Sequence, residues 1–225
     1  MLDTGPPDTE IVATLRALGA ATLGESGGHA MRARIRPAWA GATVCGPAFC
    51  ARNTPGDNLA IHVAVADAPA GSVIVASVGD VPELGYWGEV LTTAAQARGI
   101  VGLVIDGGVR DTDALRSHEF GVFATTIALL GATKREPGEV GGAVTVGDVV
   151  VQSNDWIVGD ADGVTVVRAG DVESVLRAGR ARAEKETAMF AALRAGQTTI
   201  DLLSLDTSPI RRTNLRQLPG SRTAK

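Results

Sequence analysis

The residues with the clearest capacity for chemistry are an arginine and an aspartate that stand side by side just after a short apolar run. Residues 101–105 are rich in β-branched side chains, as in a strand buried on both faces, and two glycines follow soon after them. In open α/β sheets, ligands collect at the carboxyl ends of the strands. Arg110 is a permanent cation with a planar fork of donors, and Asp111 offers the hard oxygen ligands that Mg²⁺ prefers. The pair predicts a site for an anion and a divalent metal ion.

The segment before this strand is predicted to contribute backbone amides to the same site. Residues 87–98 have the pattern of a helix that carries Gly88 and Glu89 in its first turn and ends at Gly99. Amides in the first turn of a helix have no partner within the helix, so they can bind a carboxylate. The candidate amides are those of Gly88, Glu89, Val90 and Leu91.

Alternating strand and helix patterns must position these two segments. Such alternation favours parallel pairing through crossover helices, and so an α/β fold. An amphipathic helix ended by Gly19 and a second short helix are predicted to precede this part of the chain. The predicted strands are 42–51, 72–76, 101–105 and 121–124, and the predicted helices are 9–18, 21–25, 59–66, 87–98 and a short one through Leu115.

From Val144 onward the pattern changes to one typical of β-hairpins. Valines alternate or run together as far as residue 151, and residues 156–158 and 164–167 continue the pattern. We therefore expect a small β-rich layer beside the α/β part. The polar turn at 159–163 resembles a calcium loop only superficially, because further oxygen ligands and the final glutamate of such a loop are missing.

Length and composition fit one compact α/β domain, since the chain has 225 residues, 45% of them apolar, and 28 glycines. Residues 171–194 are predicted to form a charged helix, after which the chain is expected to be an extended tail. We take residues 1–200 as the domain and residues 201–225 as a carboxy-terminal extension, either disordered or a subunit-binding arm. The extension carries four arginines from Arg211 onward, and Lys225.

Composition also excludes several classes of function. A net charge of −4 argues against a nucleic-acid binder, because neutralising phosphates requires a basic face. No apolar run approaches the roughly 20 residues of a membrane span, and the amino terminus is polar, so we expect a cytoplasmic protein without membrane contact. Cys45 and Cys50 lack the further ligands of a zinc site and are interpreted as buried thiols. His29 is expected to be solvated in a loop, and His62 to pack within its helix.

Four motifs, in their order along the chain, resemble one known family. They are ARNTPGDN at 51–58, GYWGE at 85–89, IDGGVRD at 105–111 and GDADGV at 159–164. Over residues 9–196 the chain resembles the RraA-like family, which joins 4-hydroxy-4-methyl-2-oxoglutarate aldolases to the regulator of ribonuclease activity A. The resemblance implies a swivelling α/β/α and β/β/α sandwich, a homotrimer or dimer of trimers, and sites between subunits. Its aldolase branch implies a metal-dependent, or class II, pyruvate aldolase that also decarboxylates oxaloacetate.

The same resemblance implies roles for individual residues. Arg110 would contact the keto oxygen of a small 2-oxo acid substrate, and Asp111 would hold Mg²⁺, Mn²⁺ or another divalent ion. The amides of residues 88–91 would bind the pyruvyl carboxylate. Glu89 stands where many relatives have aspartate, and it would hold a metal-bound water.

Two positions depart from the aldolase pattern. The acidic residue that the aldolases tend to carry three places after the metal-binding aspartate is replaced here by Ala114, although Asp113 is adjacent. For the carboxylate that a neighbouring subunit supplies in aldolases, the candidates are Glu184 and Glu186. These two departures affect the expected substrate and reaction rate more than the expected fold.

The implied reaction sets a chemical requirement that the residues can be tested against. Cleaving a carbon–carbon bond beside an α-keto acid leaves an enolate, whose negative charge the catalyst must stabilise. A Schiff-base lysine or a metal ion can do so. Lys134, Lys185 and Lys225 lie in polar or charged segments, without the apolar setting that activates a lysine. A divalent ion bound by Asp111 and backed by Arg110 meets the need instead.

Two hypotheses from different classes remain open. One is a metal-dependent aldolase or decarboxylase of short 2-oxo acids, and the other is a non-enzymatic regulator that binds a ribonuclease or a similar protein. Both branches share the Gly-Gly-x-Arg-Asp loop, although the carboxy-terminal extension and the acidic segment at 184–186 favour the aldolase. A methyltransferase is disfavoured, because no glycine-rich loop follows a first strand. On spacing alone, Arg110 and Asp111 could equally form a surface salt bridge.

Overall fold

The computed structural model describes residues 7–213, which form helices and mostly short strands. The helices are α1 (Thr9–Gly24), α2 (Leu59–Asp67), α3 (Glu89–Ala97), α4 (Thr112–Ser117), α5 (Val172–Arg194) and α6 (Thr199–Leu203), with a 3₁₀ turn at Ala169–Asp171. The strands are β1 (His29–Ala30), β2 (Arg36–Pro37), β3 (Val44–Asn53), β4 (Val73–Ser77), β5 (Gly85–Trp87), β6 (Gly102–Asp106), β7 (Gly108–Val109), β8 (Gly121–Ala124), β9 (Thr126–Ile127), β10 (Gly138–Val140), β11 (Ala143–Val146), β12 (Val149–Gln152), β13 (Trp156–Asp160) and β14 (Gly163–Val167).

One large sheet, in the order β1-β14-β13-β3-β4-β6-β8-β2, organises the chain. Its centre is parallel, since β3, β4, β6 and β8 follow one another through the crossover helices α2, α3 and α4. Strand β3 changes partner along its length, with residues 44–47 antiparallel to β13 and residues 48–52 parallel to β4. The parallel α/β arrangement predicted from the alternating pattern is confirmed.

The sheet curls around an apolar interior. A Cβ at Gly159 would lie 2.8 Å from the ring of Phe123 and 2.9 Å from Val44, so glycine lets β13 approach the opposite wall. The hairpin of β11 and β12 covers this interior, which confirms the predicted β-rich layer. Its contribution to the interior consists of Val144, Val146 and Val151.

Helices close the outer faces of the sheet. On the parallel strands, α2, α3 and α4 bury Ile61, Leu91 and Leu115 in one core, in which the rings of Trp87 and Phe120 stack with centroids 5.9 Å apart. On β13 and β14, α1 and the first turns of α5 form a second core. Both cysteines are buried and unpaired, as expected: Cys45 belongs to this second core and Cys50 to the interior of the curled sheet.

Helix α1 changes direction at a glycine, as the sequence predicted. Gly19 has φ +76°, a left-handed conformation that L side chains rarely adopt, and it divides α1 into two parts. The second part begins at Ala20, whose amide donates to Oδ2 of Asp160 at 2.8 Å. Oδ1 of the same carboxylate accepts from the amide of Asp162 at 3.0 Å, so the polar turn is a backbone-capping turn.

The predicted start of the helix that contributes amides to the site is two residues too early. Trp87 ends strand β5, and α3 begins at Glu89 with Gly88 as its N-cap. Strand β5 belongs to a separate three-stranded parallel sheet with β7 and β9. In that sheet the amide of Arg110 donates to the carbonyl of Trp87 at 2.9 Å. This small sheet therefore brings the two predicted site segments side by side.

Contacts divide the chain into a unit that ends at Ala183 and a second unit that starts at Glu184. In the second unit, the prediction of an extended tail after Gly196 is wrong, because α6 forms there with Thr198 as a side-chain cap that accepts from the amide of Asp201. The domain boundary at residue 200 stays a prediction, and residues 214–225 of the proposed arm lie outside the described part. Between residues 7 and 213, no helix is long and apolar enough to cross a membrane.

Candidate active site

A cleft of about 190 Å³ lies where the small sheet meets the amino terminus of α3. The two charged residues predicted from the sequence, Arg110 and Asp111, both line it. The other lining residues come from α2, β5, α3 and the segment after β9, namely Asn58, His62, Gly85, Tyr86, Trp87, Gly88, Val90, Leu91, Gly131, Ala132 and Lys134.

Asp111 is held in a left-handed backbone conformation that is uncommon for residues other than glycine. It has φ 57° and ψ 38°, the left-handed region, and it is the N-cap residue of α4. A non-glycine residue in this region costs about 1–3 kcal/mol unless its surroundings compensate, and such residues cluster at functional sites. Its Oδ2 accepts from the amide of Glu89 at 3.0 Å and lies 3.7 Å from Nε of Arg110. The carboxylate therefore links the amino termini of α3 and α4.

Two glycines make room for the charged pair. A Cβ at Gly88 would lie 2.3 Å from Oδ2 of Asp111, closer than any real contact, and 3.1 Å from Cγ of Arg110. A Cβ at Gly85 would lie 3.0 Å from Cδ of Arg110 and 2.7 Å from the carbonyl oxygen of Ala128. Any side chain at either position would displace the arginine or the aspartate, so the glycines are part of the site.

The predicted carboxylate-binding amides are only partly available. The amide of Glu89 already donates to Asp111. Val90 and Leu91 line the cleft, and as first-turn residues of α3 their amides have no carbonyl partner within the helix. These two amides, with the positive end of the helix dipole, remain as a binding site for an anion.

Glu89 does not line the cleft with the other predicted residues. Its side chain is 58% exposed, and Oε1 lies 3.6 Å from Nε2 of His118, the residue that ends α4. No sequence pattern marks His118 as a functional residue, because a lone histidine after a short helix carries no motif.

The cleft has a second polar wall that the sequence did not predict. His62 was expected to pack in its helix, yet it lines the cleft with Asn58. Nε2 of His62 and Oδ1 of Asn58 are buried and have no hydrogen-bond partner among residues 7–213. Burial, and then the nearby charge of Lys134, lowers the pKa of His62. The lowered pKa favours the neutral imidazole, and the buried Nε2 is left for a ligand or water.

Lys134 reaches the cleft because a buried aspartate anchors its loop. Asp57 is 1% exposed, and Oδ2 accepts from the hydroxyl of Thr133 at 2.7 Å and from the amides of Arg135 and Glu136 at 2.7 and 3.1 Å. Burial by itself raises the pKa of Asp57, but these hydrogen bonds to the charged form outweigh it and lower the pKa to about 2. The carboxylate fixes the loop against the amino terminus of α2.

The carboxylate of Asp111 fits a hard metal ion such as Mg²⁺. Within residues 7–213, no cluster of three or more His, Cys, Asp or Glu side chains could hold a metal ion. Mg²⁺ does not require such a cage, because it takes one or two carboxylates and keeps several waters. The side chain of Asp111 is 40% exposed at the cleft, so it could supply one carboxylate ligand beside room for water and substrate.

The acidic residue next to Ala114 does not line the cleft. Asp113, next to Ala114, has a 93% exposed side chain that pairs with Arg116 at 3.0 Å. It therefore faces solvent on α4 and does not replace the missing acidic residue in this structure. Glu184 and Glu186 belong to the second unit, and their contribution to a neighbouring subunit stays a prediction.

Comparison with known proteins gives the family. The RraA-like family model, described as Aldolase/RraA, matches residues 16–166. A protein of Halalkalibacterium halodurans named "Putative 4-hydroxy-4-methyl-2-oxoglutarate aldolase" is 34% identical over 143 residues, 64% of this chain and 68% of that protein. The crystal structure of an uncharacterized protein from Pseudomonas syringae matches with a TM-score of 0.77 at 26% identity, over 88% of this chain and 94% of that one. The RNA-processing inhibitor RraA from Thermus thermophilis matches with a TM-score of 0.60 at 25% identity, over 66% and 91%.

These matches confirm the fold class that the motifs implied, an α/β sandwich built on a curled sheet. The family model covers well over half of the chain and includes both segments of the cleft that carry Glu89 and Asp111. The chain belongs to the RraA-like family.

Proposed function

We propose that the protein is a divalent-metal-dependent aldolase that cleaves a 4-hydroxy-2-oxo acid to pyruvate and also decarboxylates oxaloacetate. The observation that carries the proposal is the placement of Arg110 and Asp111 in one cleft, with two glycines that leave room for them. The names of relatives such as the one from Halalkalibacterium halodurans support the same class of reaction. A 4-hydroxy-2-oxo acid such as 4-hydroxy-4-methyl-2-oxoglutarate is the proposed substrate class.

The residues of the cleft suit binding of the pyruvyl half of the substrate. The free amides of Val90 and Leu91 would bind its carboxylate at the amino terminus of α3. Arg110, whose side chain is 44% exposed, would donate to the keto oxygen, on which negative charge grows as the carbon–carbon bond breaks. Because the enolate carries more charge than the ketone, this contact strengthens in the transition state and lowers the barrier.

Asp111 would hold the divalent ion, which supplies Lewis-acid polarisation of the keto oxygen when it is bound. Glu89, whose side chain lies outside the cleft lining, would act through a bridging water, which removes the proton of the 4-hydroxyl group and returns a proton to the enolate carbon. Aldol cleavage needs both transfers, whereas decarboxylation of oxaloacetate needs only the second. One site can therefore serve both reactions.

Because Lys134 lines the cleft, a Schiff-base mechanism has to be tested against the metal-dependent mechanism. We assign it an electrostatic role, since with Arg110 it makes the cleft favourable for a substrate with two carboxylates. Borohydride in the presence of pyruvate would trap an imine and inactivate a Schiff-base enzyme, and we expect no inactivation here. Chelation by EDTA should instead abolish turnover, with Mg²⁺ or Mn²⁺ restoring it.

We further propose a homotrimer, or a dimer of trimers, with the cleft near a subunit boundary. An apolar surface beside the cleft begins at the last residue of β9: Ile127 is 52%, Leu129 84% and Leu130 73% exposed. Val90, which lines the cleft itself, is 78% exposed. A contiguous group of large exposed apolar side chains is typical of a protein interface.

A second candidate function is regulation of a ribonuclease or a similar protein without turnover. The similarity to the RNA-processing inhibitor from Thermus thermophilis supports it, and the apolar surface after β9 could equally bind a different protein. Pyruvate release from a panel of 2-oxo acids, coupled to lactate dehydrogenase and NADH, separates the two. Metal-dependent release supports the aldolase, whereas no release from any member, with folded oligomeric protein, supports the regulator.

A further inference from the structure

Helix α4 ends on a histidine whose ring lies between the first and the last turns of α3. Nε2 of His118 is 3.6 Å from Oε1 of Glu89, and Nδ1 is 2.9 Å from Oε1 of Gln96. Gln96 also donates from Nε2 to the backbone carbonyl of His118 at 2.9 Å. The three residues join the two helices whose N-caps, Gly88 and Asp111, meet at the cleft.

The hydrogen bonds assign the orientation of the imidazole. Because the amide nitrogen of Gln96 donates to the carbonyl of His118, its oxygen faces the ring and can only accept. Nδ1 of His118 must therefore carry a proton, an assignment from the hydrogen-bond network. Nε2 is left as the ring atom that faces the Glu89 carboxylate. With a second proton on Nε2, the charged ring holds the Glu89 carboxylate as an ion pair at 3.6 Å, and the hydrogen bonds of Gln96 prevent the ring from turning away.

The contact between His118 and Glu89 contributes little to the stability of the fold. The side chain of His118 is 29% exposed and that of Glu89 58%, and exposed pairs of this kind contribute at most about 1 kcal/mol to stability. Apolar contacts of Trp87, Leu115 and Phe120 already hold α3 and α4 in the core. The contact between the two polar side chains instead favours one orientation of the Glu89 carboxylate next to the cleft.

We propose that His118 is a positioning residue for the reaction: it holds the Glu89 carboxylate at the amino terminus of α3, and Gln96 sets the ring. The inference rests on the proposed function, in which Glu89 moves protons to and from the substrate. Glu89 is one methylene longer than aspartate, so its carboxylate has more rotamers, and His118 restricts them. Loss of the histidine should then lower kcat and leave KM nearly unchanged.

The experiment compares His118→Leu with His118→Gln, which places an amide donor where Nε2 stands. His118→Leu should lower kcat for pyruvate release by about tenfold, because it removes part of the gain from a positioned acid–base group. It should slow exchange of the pyruvate methyl protons with D₂O, followed by NMR, by the same factor. His118→Gln should recover most of both rates. Arg116→Leu, an exposed residue on the same helix, is the matched control and should behave as wild type.

A double-mutant cycle separates positioning from an independent effect. If His118 acts through Glu89, then Glu89→Gln with His118→Leu should be no slower than Glu89→Gln alone. The proposal would be overturned if the two substitutions lowered kcat additively. It would also be overturned if His118→Leu exchanged methyl protons at the wild-type rate while Glu89→Gln exchanged them more slowly. A lower kcat that tracks a lower melting temperature would do the same.

A readout independent of turnover keeps this inference distinct from the proposed function. In metal-free protein, ¹⁵N NMR should show a proton on Nδ1 of His118, and Glu89→Gln should shift the Nε2 resonance. An unchanged Nε2 resonance would show that His118 and Glu89 are not in contact, whether or not the protein releases pyruvate. If the contact is present and no 2-oxo acid releases pyruvate, the proposed function fails and the role of His118 in that reaction fails with it.

Discussion

Replacing Arg110 with lysine tests whether the cleft needs a planar cation or only a positive charge. The side chain of Arg110 is closely surrounded. A Cβ added at Gly85 would lie 3.0 Å from its Cδ, and its Nε lies 3.7 Å from Oδ2 of Asp111. Lysine keeps the charge but loses the fork of donors that could brace the keto oxygen and the substrate carboxylate together.

The expected loss follows from the role proposed for the contact. Removing a donor to a developing oxyanion costs about 2.7–4 kcal/mol, or about 10²–10³ in kcat. We therefore expect Arg110→Lys to lower kcat at least about 10²-fold, with KM rising because ground-state binding is also weakened. Stability should change by less than about 0.5 kcal/mol, since the side chain is 44% exposed and its pair with Asp111 is long.

The assay is steady-state pyruvate release at saturating Mg²⁺, with thermal melts as the folding control. Arg116→Lys makes the same chemical change at an exposed position on α4 and should leave kcat and KM unchanged. An Arg110→Lys protein with wild-type kcat would refute the reasoning, because a point charge would then be sufficient.

Three further predictions follow from other parts of the site. Gly88→Ala should lower activity about 10²-fold, because its Cβ would lie 2.3 Å from Oδ2 of Asp111, whereas Gly170→Ala meets no atom within 4 Å and should be neutral. Asp57→Asn should lower the free energy of unfolding at pH 7 by about 2 kcal/mol. Because the pKa of Asp57 is lowered from 3.8 to about 2, its contribution is complete above about pH 5 and is lost progressively as the pH falls through 2. In urea melts, the gap in unfolding free energy between wild type and Asp57→Asn should be clearly smaller at pH 3 than at pH 7, and an equal gap at both would contradict this. Leu129→Asp should dissociate the oligomer in light scattering, whereas Val150→Asp, at an exposed valine on β12, should not; an unchanged mass for Leu129→Asp would place the interface elsewhere.

The parts of the site that could be predicted from the sequence are those set by local pattern. A β-branched run, two glycines and an adjacent Arg-Asp pair predict a strand and its carboxyl-end loop without knowledge of the rest of the chain. The structure places Arg110 and Asp111 there. Strand β5, by contrast, has only three residues, too few to show a period of two, so the helical pattern that follows was extended over Trp87.

The second wall of the cleft depends on contacts that no local pattern reports. Lys134 lines the cleft because its loop is bound by Asp57, a residue 77 positions earlier, and nothing in the loop's own sequence shows this. Helix α6 did have a local signal, since Thr198 and Asp201 have the spacing of a capping box with aspartate in place of glutamate. The two-residue strands β1, β2, β7 and β9 exist only through their partners in the sheets.

The proposed reaction depends on a divalent ion held by Asp111, so the response of the Asp111→Ala protein to Mg²⁺ is the decisive experiment. Pyruvate release is measured against Mg²⁺ concentration for wild type and variant, both stripped with EDTA and both shown to be folded by thermal melts. We expect wild type to regain activity along a saturable Mg²⁺ curve and the variant to stay inactive at every concentration. Wild-type turnover that survives EDTA, or an Asp111→Ala protein with a normal Mg²⁺ curve, would contradict the metal assignment.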